Sequence, residues 1–533
     1  MACFNIAHEK RNRDDLMSSS TIQHIVIAGG GSAGWLSAAL IAAEHQAQNG
    51  SAGLQVTLIE SPDVAPIGVG EGTWPSMRIT LRRIGVSEAD FIRECDASFK
   101  QGSRFNGWTT GAENDFYFHP FTPPQGEGDV DMVAAWQRLY PERPFAEVVC
   151  PQPELCLQGK APKQIQTPEY AAVANYGYHL DATKLGLFLR RHCLERLGVR
   201  HVSDHILAVN SHENGDIASL QTRDNGAISG DLFIDCTGMQ SLLLGKHFGV
   251  ALIPQKHILF NDTAMAVQVP YPNENSPIAS QTLSTAQDHG WIWDIGLPTR
   301  RGTGYVYSSA HGSDEQAETA LRAYVAKNGG PTEIPQPRKL SFTPGHREKF
   351  WHRNCVAIGQ SAGFIEPLEA SALVMVELSA ALVSEQMPAT RDAMDILAKR
   401  FNDLFTYRWS SVINFLKLHY VLTKRTDTAY WRDNCLAETI PEQLTELLQL
   451  WQHHNPSRHD FSRVAELFPA ESYQYILYGM GFRTNAAVRT PDTSQRAAGY
   501  IRDAALTRDK MLAGLQSNRD LIRQIVQSRE MRK

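Results

Sequence analysis

The chain has 533 residues, 42% of them hydrophobic and 20% charged, with a net charge of −6 at pH 7. That length exceeds one simple domain and calls for two or three closely associated units. Basic residues cluster only briefly, as in Arg82-Arg83 and Arg190-Arg191-His192, which argues against a nucleic-acid partner.

Residues 1–21 begin with a polar, charged stretch without an apolar core, so they read as a flexible N-terminal extension and not a secretory signal. A βαβ unit follows over 22–60. The apolar run Ile25-Val26-Ile27-Ala28 turns through Gly29, Gly31 and Gly34, with Ser32 and Ala33 inside the turn, and opens into a helical pattern from Leu36 to Glu44. This is a dinucleotide-binding turn. Gly29 permits the tight bend, Gly31 lets backbone approach a pyrophosphate, and Gly34 lets helix and strand pack closely. The pyrophosphate rests on the amide-lined helix N-terminus. A second strand, 54–59, ends in Glu60, placed to catch a ribose hydroxyl. The polar stretch 45–53 lengthens the interval from Gly29 to Glu60 beyond the usual ~20 residues.

The loop from Ser61 to Pro75 is rich in glycine and proline and is a place for chemistry. A helical period runs from 76 to 85, and Ser87 with Asp90 marks the start of a further helix. Residues 105–180 are irregular, rich in proline and aromatics, and read as an insertion carrying substrate contacts. Asp181 caps an amphipathic helix. Strands are expected at 199–209, 217–222 and 231–236, then near 262–270, 291–297, 303–309 and 354–359. From 372 onward the pattern is helical. The whole is an α/β chain: a discontinuous Rossmann-like module with a β-rich substrate region over 22–385, then a helical region over 386–533.

Eight cysteines are scattered with no C-x-x-C pair and no zinc-ligand spacing, so no metal is expected and the thiols fit a reducing, cytoplasmic setting. No apolar run reaches the roughly 18 residues of a membrane span.

Three further segments carry a family resemblance. Gly68-Val69-Gly70-Glu71-Gly72-Thr73-Trp74-Pro75 resembles the G-x-G-E-[AG]-T-x-P loop of the flavin-dependent tryptophan halogenases. Trp291-Ile292-Trp293-Asp294-Ile295-Gly296 resembles their W-x-W-x-I-P signature, with Gly296 for proline. Phe364-Ile365-Glu366-Pro367-Leu368-Glu369-Ala370-Ser371-Ala372 resembles F-[VIL]-[DE]-P-L-E-S-[TS]-G, with Ala370 for serine and Ala372 for glycine. The likeness covers about 22–385 and implies a flavin monooxygenase-type fold. It further implies reduced FAD supplied by a separate reductase, a chloride or bromide ion, and an indole or other electron-rich aromatic as substrate. A homodimer is the assembly it allows.

By the same resemblance Glu369 assists the hypohalous acid, Ser371 and Ala372 hold the halide, and Val69, Gly70, Val202, Gly238, Gly359 and Leu373 join the glycine turn around the cofactor. The family's lysine, expected just after the loop proline, is missing: no lysine stands between Glu60 and Lys100, and Arg78 is the only basic candidate. An arginine holds an oxidant by hydrogen bonds better than it attacks one. Arg78 therefore stands as the catalytic candidate, against an ordinary surface or phosphate-pairing arginine. Trp291 and Trp293 share one strand face and line a passage between flavin and substrate, or pack as core. Trp74 limits the substrate pocket, or packs. His179, just before a helix cap, reads as a packing residue. Two alternatives to halogenation stay open: a flavin monooxygenase on the same scaffold and a non-catalytic flavin-binding protein.

Overall fold

The computed structural model describes residues 21–45, 53–63, 70–463, 465–485 and 494–530. Val69, the loop around it and the N-terminal extension lie outside them.

A six-stranded sheet forms the cofactor-binding half. Its order is Trp351–His352, Cys355–Ala357, Leu232–Asp235, His24–Ala28, Gln55–Glu60 and Arg200–Ser203. All neighbouring pairs are parallel except the first. The central strand is buried along Ile25–Ala28, which is why its sequence is an unbroken apolar run. The helix Ser32–Glu44 that follows is buried from Gly34 to Ala42. It lies against the helices Ala182–Arg196 and Ser371–Glu385. A helix covered on all sides needs the apolar character this one has, not an amphipathic stripe.

A seven-stranded sheet forms the other half, in the order Arg338–Ser341, Thr263–Pro270, Arg300–Tyr307, Gly290–Gly296, Thr282–Gln287, Gly102–Asn106 and Phe116–Pro120. Between the halves sits a three-stranded sheet of Gly70–Gly72, Gly177–Asp181 and Ser98–Lys100, in that order. The C-terminal part is helical, with the 31-residue helix Arg391–Val421 as its longest member among the described residues. No described helix is long and apolar enough to cross a membrane.

Most expected elements form. Ser87 accepts from the Asp90 amide, and Asp181 accepts from the amides of Thr183 and Lys184, as capping residues should. The segment 105–180 is more regular than its composition suggests. It holds the helices Met132–Leu139, Phe145–Val149 and Gln152–Leu157, two of them entered through Pro144 and Pro151. Proline fits the first turn of a helix, where no amide hydrogen bond is lost. The strand Thr282–Gln287 also escapes the sequence pattern, because its residues are mostly polar and small.

Candidate active site

The turn after the first strand is built by steric necessity. A Cβ on Gly29, whose φ is +109°, would lie 2.2 Å from the Cys236 carbonyl oxygen, and one on Gly34 would lie 1.9 Å from the Gly29 carbonyl oxygen. Gly30 is constrained less firmly, since its Cβ would meet at 2.3 Å only the flexible Glu60 side chain, which can shift, and no backbone. Gly31 differs: a Cβ there would point into open space. That space is a cavity of about 480 Å³ bordered by Gly29–Ala33, Glu60, Asp204–Ile206, Thr237, Gly238, Gly359, Ile365, Glu366 and Ser371–Leu373. Bare backbone at a helix N-terminus facing an open cavity fits a dinucleotide pyrophosphate. Glu60 closes one end, with Oε2 3.0 Å from His201 Nε2 and 3.4 Å from Arg190 Nη1. Ser32 donates to the Ala182 carbonyl at 3.3 Å, and Gly359, at φ +75°, crosses over Ala33. Gly70 stacks on Gly302 and Ile295. Val202 does not reach the cavity. It is buried in the sheet opposite Ile59, and the residues just after its strand form the wall.

At the other end, Glu369 and Ala370 both adopt left-handed backbone, with φ of 62° and 54°. Two consecutive non-glycine residues in this region cost of order 1–3 kcal/mol each, and such strain clusters at functional sites. The bend aims the Glu369 carbonyl at the indole of Trp74, which donates to it at 2.7 Å. It also starts the helix Ser371–Glu385, whose first residues Ser371 and Ala372 border the cavity. The first amides of a helix lack intrahelical partners and suit an anion.

The Glu369 carboxylate is buried and held by two histidines. His119 Nδ1 donates to Oε1 at 2.8 Å, and His419 Nε2 lies 3.4 Å from the same oxygen. Ser472 is 3.0 Å from the far nitrogen of His119, and the Tyr117 hydroxyl is 2.8 Å from His419 Nδ1. Burial pulls the Glu369 carboxyl upward, but the charge and hydrogen bond of His119, aided by His419, carry it well below the usual carboxylate range. Burial holds His419 below its ordinary value in spite of Glu369. None of these four partners stands near Glu369 in sequence. The strand Phe116–Pro120 supplies two, and the helices Arg391–Val421 and Ala470–Gly479 supply the others.

The cation of this site is Lys100. It is 1% exposed, its Nζ lies 5.3 Å over the Phe121 ring, and no hydrogen bond or ion pair holds it among the described residues. A Cβ on Gly72 would come within 3.1 Å of Lys100 Nζ and 3.3 Å of the Ala370 Cβ. The glycine loop, the lysine and the strained bend therefore meet at one point. Burial lowers the Lys100 ammonium to about 8, partly offset by the charge of Glu369. Burial, aided by the same ammonium, pushes His179 well below its ordinary value. His179 is a packing residue, bonded to the Thr282 hydroxyl at 2.8 Å.

Arg78 has other partners. Its guanidinium donates to the Tyr170 carbonyl and to Asn175 Oδ1 and lies 4.4 Å over the Tyr176 ring. It buttresses the wall behind the loop, while the amine beside Glu369 comes from a strand 22 residues further on. A search of the residues after Pro75 misses Lys100 because the three-stranded sheet, not chain proximity, places it. The signal in the sequence was slight, a lysine directly after Ala97-Ser98-Phe99; in the strand Ser98–Lys100 all three residues are buried, a costly position for a charge.

Trp291 is buried, and its indole donates to Glu366 Oε2 at 2.7 Å. Trp293, on the same face, packs over Gly304 and borders a second cavity of about 430 Å³ with Arg300, Thr303 and Arg338. Trp74 lies edge-on to Phe468, with centroids 4.9 Å apart.

Residues 24–495 match the tryptophan halogenase family model. The chain is similar to a tryptophan halogenase from Shewanella frigidimarina NCIMB 400, with 48% identity, a TM-score of 0.91, and coverage of 95% of this chain and 98% of that one. It is also similar to Tar14, a tryptophan C-6 flavin-dependent halogenase from taromycin biosynthesis, at 30% identity and TM-score 0.87 over 94% and 99% of the two chains. Among characterised sequences, the 7-chloro-L-tryptophan 6-halogenase KtzR of Kutzneria sp. (strain 744) is 32% identical, over 91% of this chain and 97% of its own length.

Proposed function

The chain belongs to the tryptophan halogenase family of flavin-dependent enzymes, and from that membership we propose that it halogenates an indole or similarly electron-rich aromatic. The cofactor is reduced FAD delivered by a separate flavin reductase, and the co-substrate is chloride or bromide. When bound, reduced flavin with dioxygen supplies the oxidising equivalents that turn halide into hypohalous acid.

The chain's own residues do the rest. The bare backbone at Gly31 and the amides that follow hold the pyrophosphate, and Glu60 holds the ribose. Gly238, Gly359 and Leu373 border the cavity, while Gly70 packs against Gly302 and Ile295 away from its lining. Amides at Ser371 and Ala372 hold the halide. Lys100 donates a proton through its ammonium to the hypohalous acid, orienting its halogen toward the ring. Glu369, kept ionised by His119 and His419, takes the proton that the ring loses on rearomatisation, with His119 and Ser472 continuing the path. Trp291 and Trp74 wall the passage. In this low-dielectric pocket, fixed charges act more strongly than in water.

One observation carries this reading: a buried lysine that no hydrogen bond or ion pair holds among the described residues lies near a buried, histidine-clamped glutamate beside the cofactor cavity. It also removes the reason for favouring a monooxygenase, which rested on a missing lysine. The test supplies the protein with reduced FAD, dioxygen and chloride or bromide against a panel of indoles, read by mass spectrometry. Halide-dependent halogenated product is expected. Oxygenated product without halogen sinks the proposal.

A further inference from the structure

The carboxylate of Glu366 is used at one oxygen and idle at the other. Oε2 accepts three hydrogen bonds, from the Trp291 indole, the Tyr420 hydroxyl and the Asn261 amide, each at 2.7 Å. Asn261 is itself fixed, its carbonyl oxygen accepting from the Tyr430 hydroxyl at 3.1 Å. Oε1 is buried and accepts no hydrogen bond from the described residues. The residue is 1% exposed, and it borders the cofactor cavity. Leaving a buried charged acceptor unpaired is costly, so a ligand that brings an N–H to Oε1 gains what the free protein lacks.

The lining residues assigned above leave one part of the ligand for that position. Glu60 takes the adenosine end and Gly31 the pyrophosphate. Glu366 lies with Ile365, Ser371 and Ala372 at the remaining end, where the flavin ring must go. The oxidised isoalloxazine offers a single N–H, at N3, and otherwise presents acceptors. Two-electron reduction adds an N–H at N5. A naked carboxylate oxygen gains a partner from that N–H and is repelled by the lone pair that the oxidised ring has there.

We propose that Glu366 is a cofactor-binding residue whose free oxygen makes the cavity prefer reduced over oxidised flavin. This rests on the cavity being a flavin site, as proposed above. Tight retention of the reduced form and easy loss of the oxidised form suit an enzyme supplied by a separate reductase.

The substitution Glu366→Gln separates the two oxygens. Its carbonyl continues to accept from Trp291, Tyr420 and Asn261, while its amide turns the idle acceptor into a donor. The measurement is the dissociation constant of oxidised FAD by flavin fluorescence, that of reduced FAD under anaerobic conditions, and the midpoint potential of the bound cofactor. In the parent, reduced FAD binds at least tenfold more tightly, which places the bound couple at least about 30 mV above free FAD. In E366Q the preference falls to threefold or less, or reverses. An unchanged preference and potential in a folded E366Q overturns the proposal and leaves the flavin site standing. A parent that binds neither form overturns both. Should E366Q fail to fold, Glu366→Asp, which withdraws the carboxylate by one methylene, carries the same expectation, and an unchanged preference there overturns the proposal equally.

Discussion

Replacing Lys100 with methionine tests whether the site stores its chemistry at the expense of stability. The lysine titrates at about 8 instead of 10.5, because burial outweighs the attraction of Glu369. Each pH unit of such displacement corresponds to about 1.4 kcal/mol, so keeping the ammonium charged in the folded protein costs roughly 3 kcal/mol at neutral pH. The unfolded chain holds the proton more tightly than the folded one. The penalty is therefore fully present below pH 8 and fades as the pH rises from about 8 to 10.5. Methionine keeps the unbranched stem and removes the charge, while Glu369 retains His119 and His419. Lys100→Met is expected to raise the unfolding free energy by about 1–3 kcal/mol at pH 7, with the difference from the parent shrinking above pH 8. Halogenation should fall by about a hundredfold or more, the usual contribution of a positioned acid. Denaturant titrations at pH 7 and 9.5, with product formation measured alongside, check both statements. A variant that is less stable than the parent at pH 7, or that halogenates within tenfold of it, would refute the reasoning.

Glu369→Gln keeps shape but removes the ionised acceptor, and should cost about 10²–10⁴-fold in halogenation with FAD affinity unchanged; a loss below tenfold reduces Glu369 to a structural residue. Arg78→Ala removes three hydrogen bonds from its guanidinium and a ring contact in a half-buried wall, so it should lower stability by about 1–3 kcal/mol, seen by denaturant titration, while the halide-dependent reaction survives. In the proposed mechanism the ammonium form of Lys100 supplies the proton, so single-turnover halogenation should decline as pH rises through about 8; a rate that climbs there would mean the neutral amine is the active form. Gly31→Val puts a branched side chain where a pyrophosphate must approach backbone, and fluorescence titration should show FAD binding weakened at least about tenfold.

The sequence carried the cofactor half of the molecule well, because its features are local. The glycines between a strand and a helix and the acid at the tip of the next strand lie within forty residues of one another; in the structure Gly29 and Gly34 have steric causes, and Gly31 and Glu60 border the cavity. Glu369, Ser371 and Ala372 are likewise neighbours on one bend. What sequence could not show is what the sheets and the long helix bring together. Lys100 meets Gly72 only because the strand Gly177–Asp181 pairs with both of theirs. His119 and His419 meet Glu369 from positions 250 residues before and 50 residues after it. Distance along the chain points to Arg78, while the central strand Gly177–Asp181 brings Lys100 beside the glycine loop. Gly30 was overlooked because its constraint comes from the folded Glu60 side chain, not from the turn.

The proposed reacting pair is Lys100 and Glu369, served by the glycine-lined cavity, with Arg78 outside it. The most direct measurement incubates the parent, Lys100→Met and Arg78→Ala with reduced FAD, dioxygen, bromide and one accepted indole, and quantifies products by mass spectrometry. Brominated indole should form with the parent and Arg78→Ala and be lost with Lys100→Met. Equal bromination by Lys100→Met and the parent, or its loss in a folded Arg78→Ala, would contradict the account.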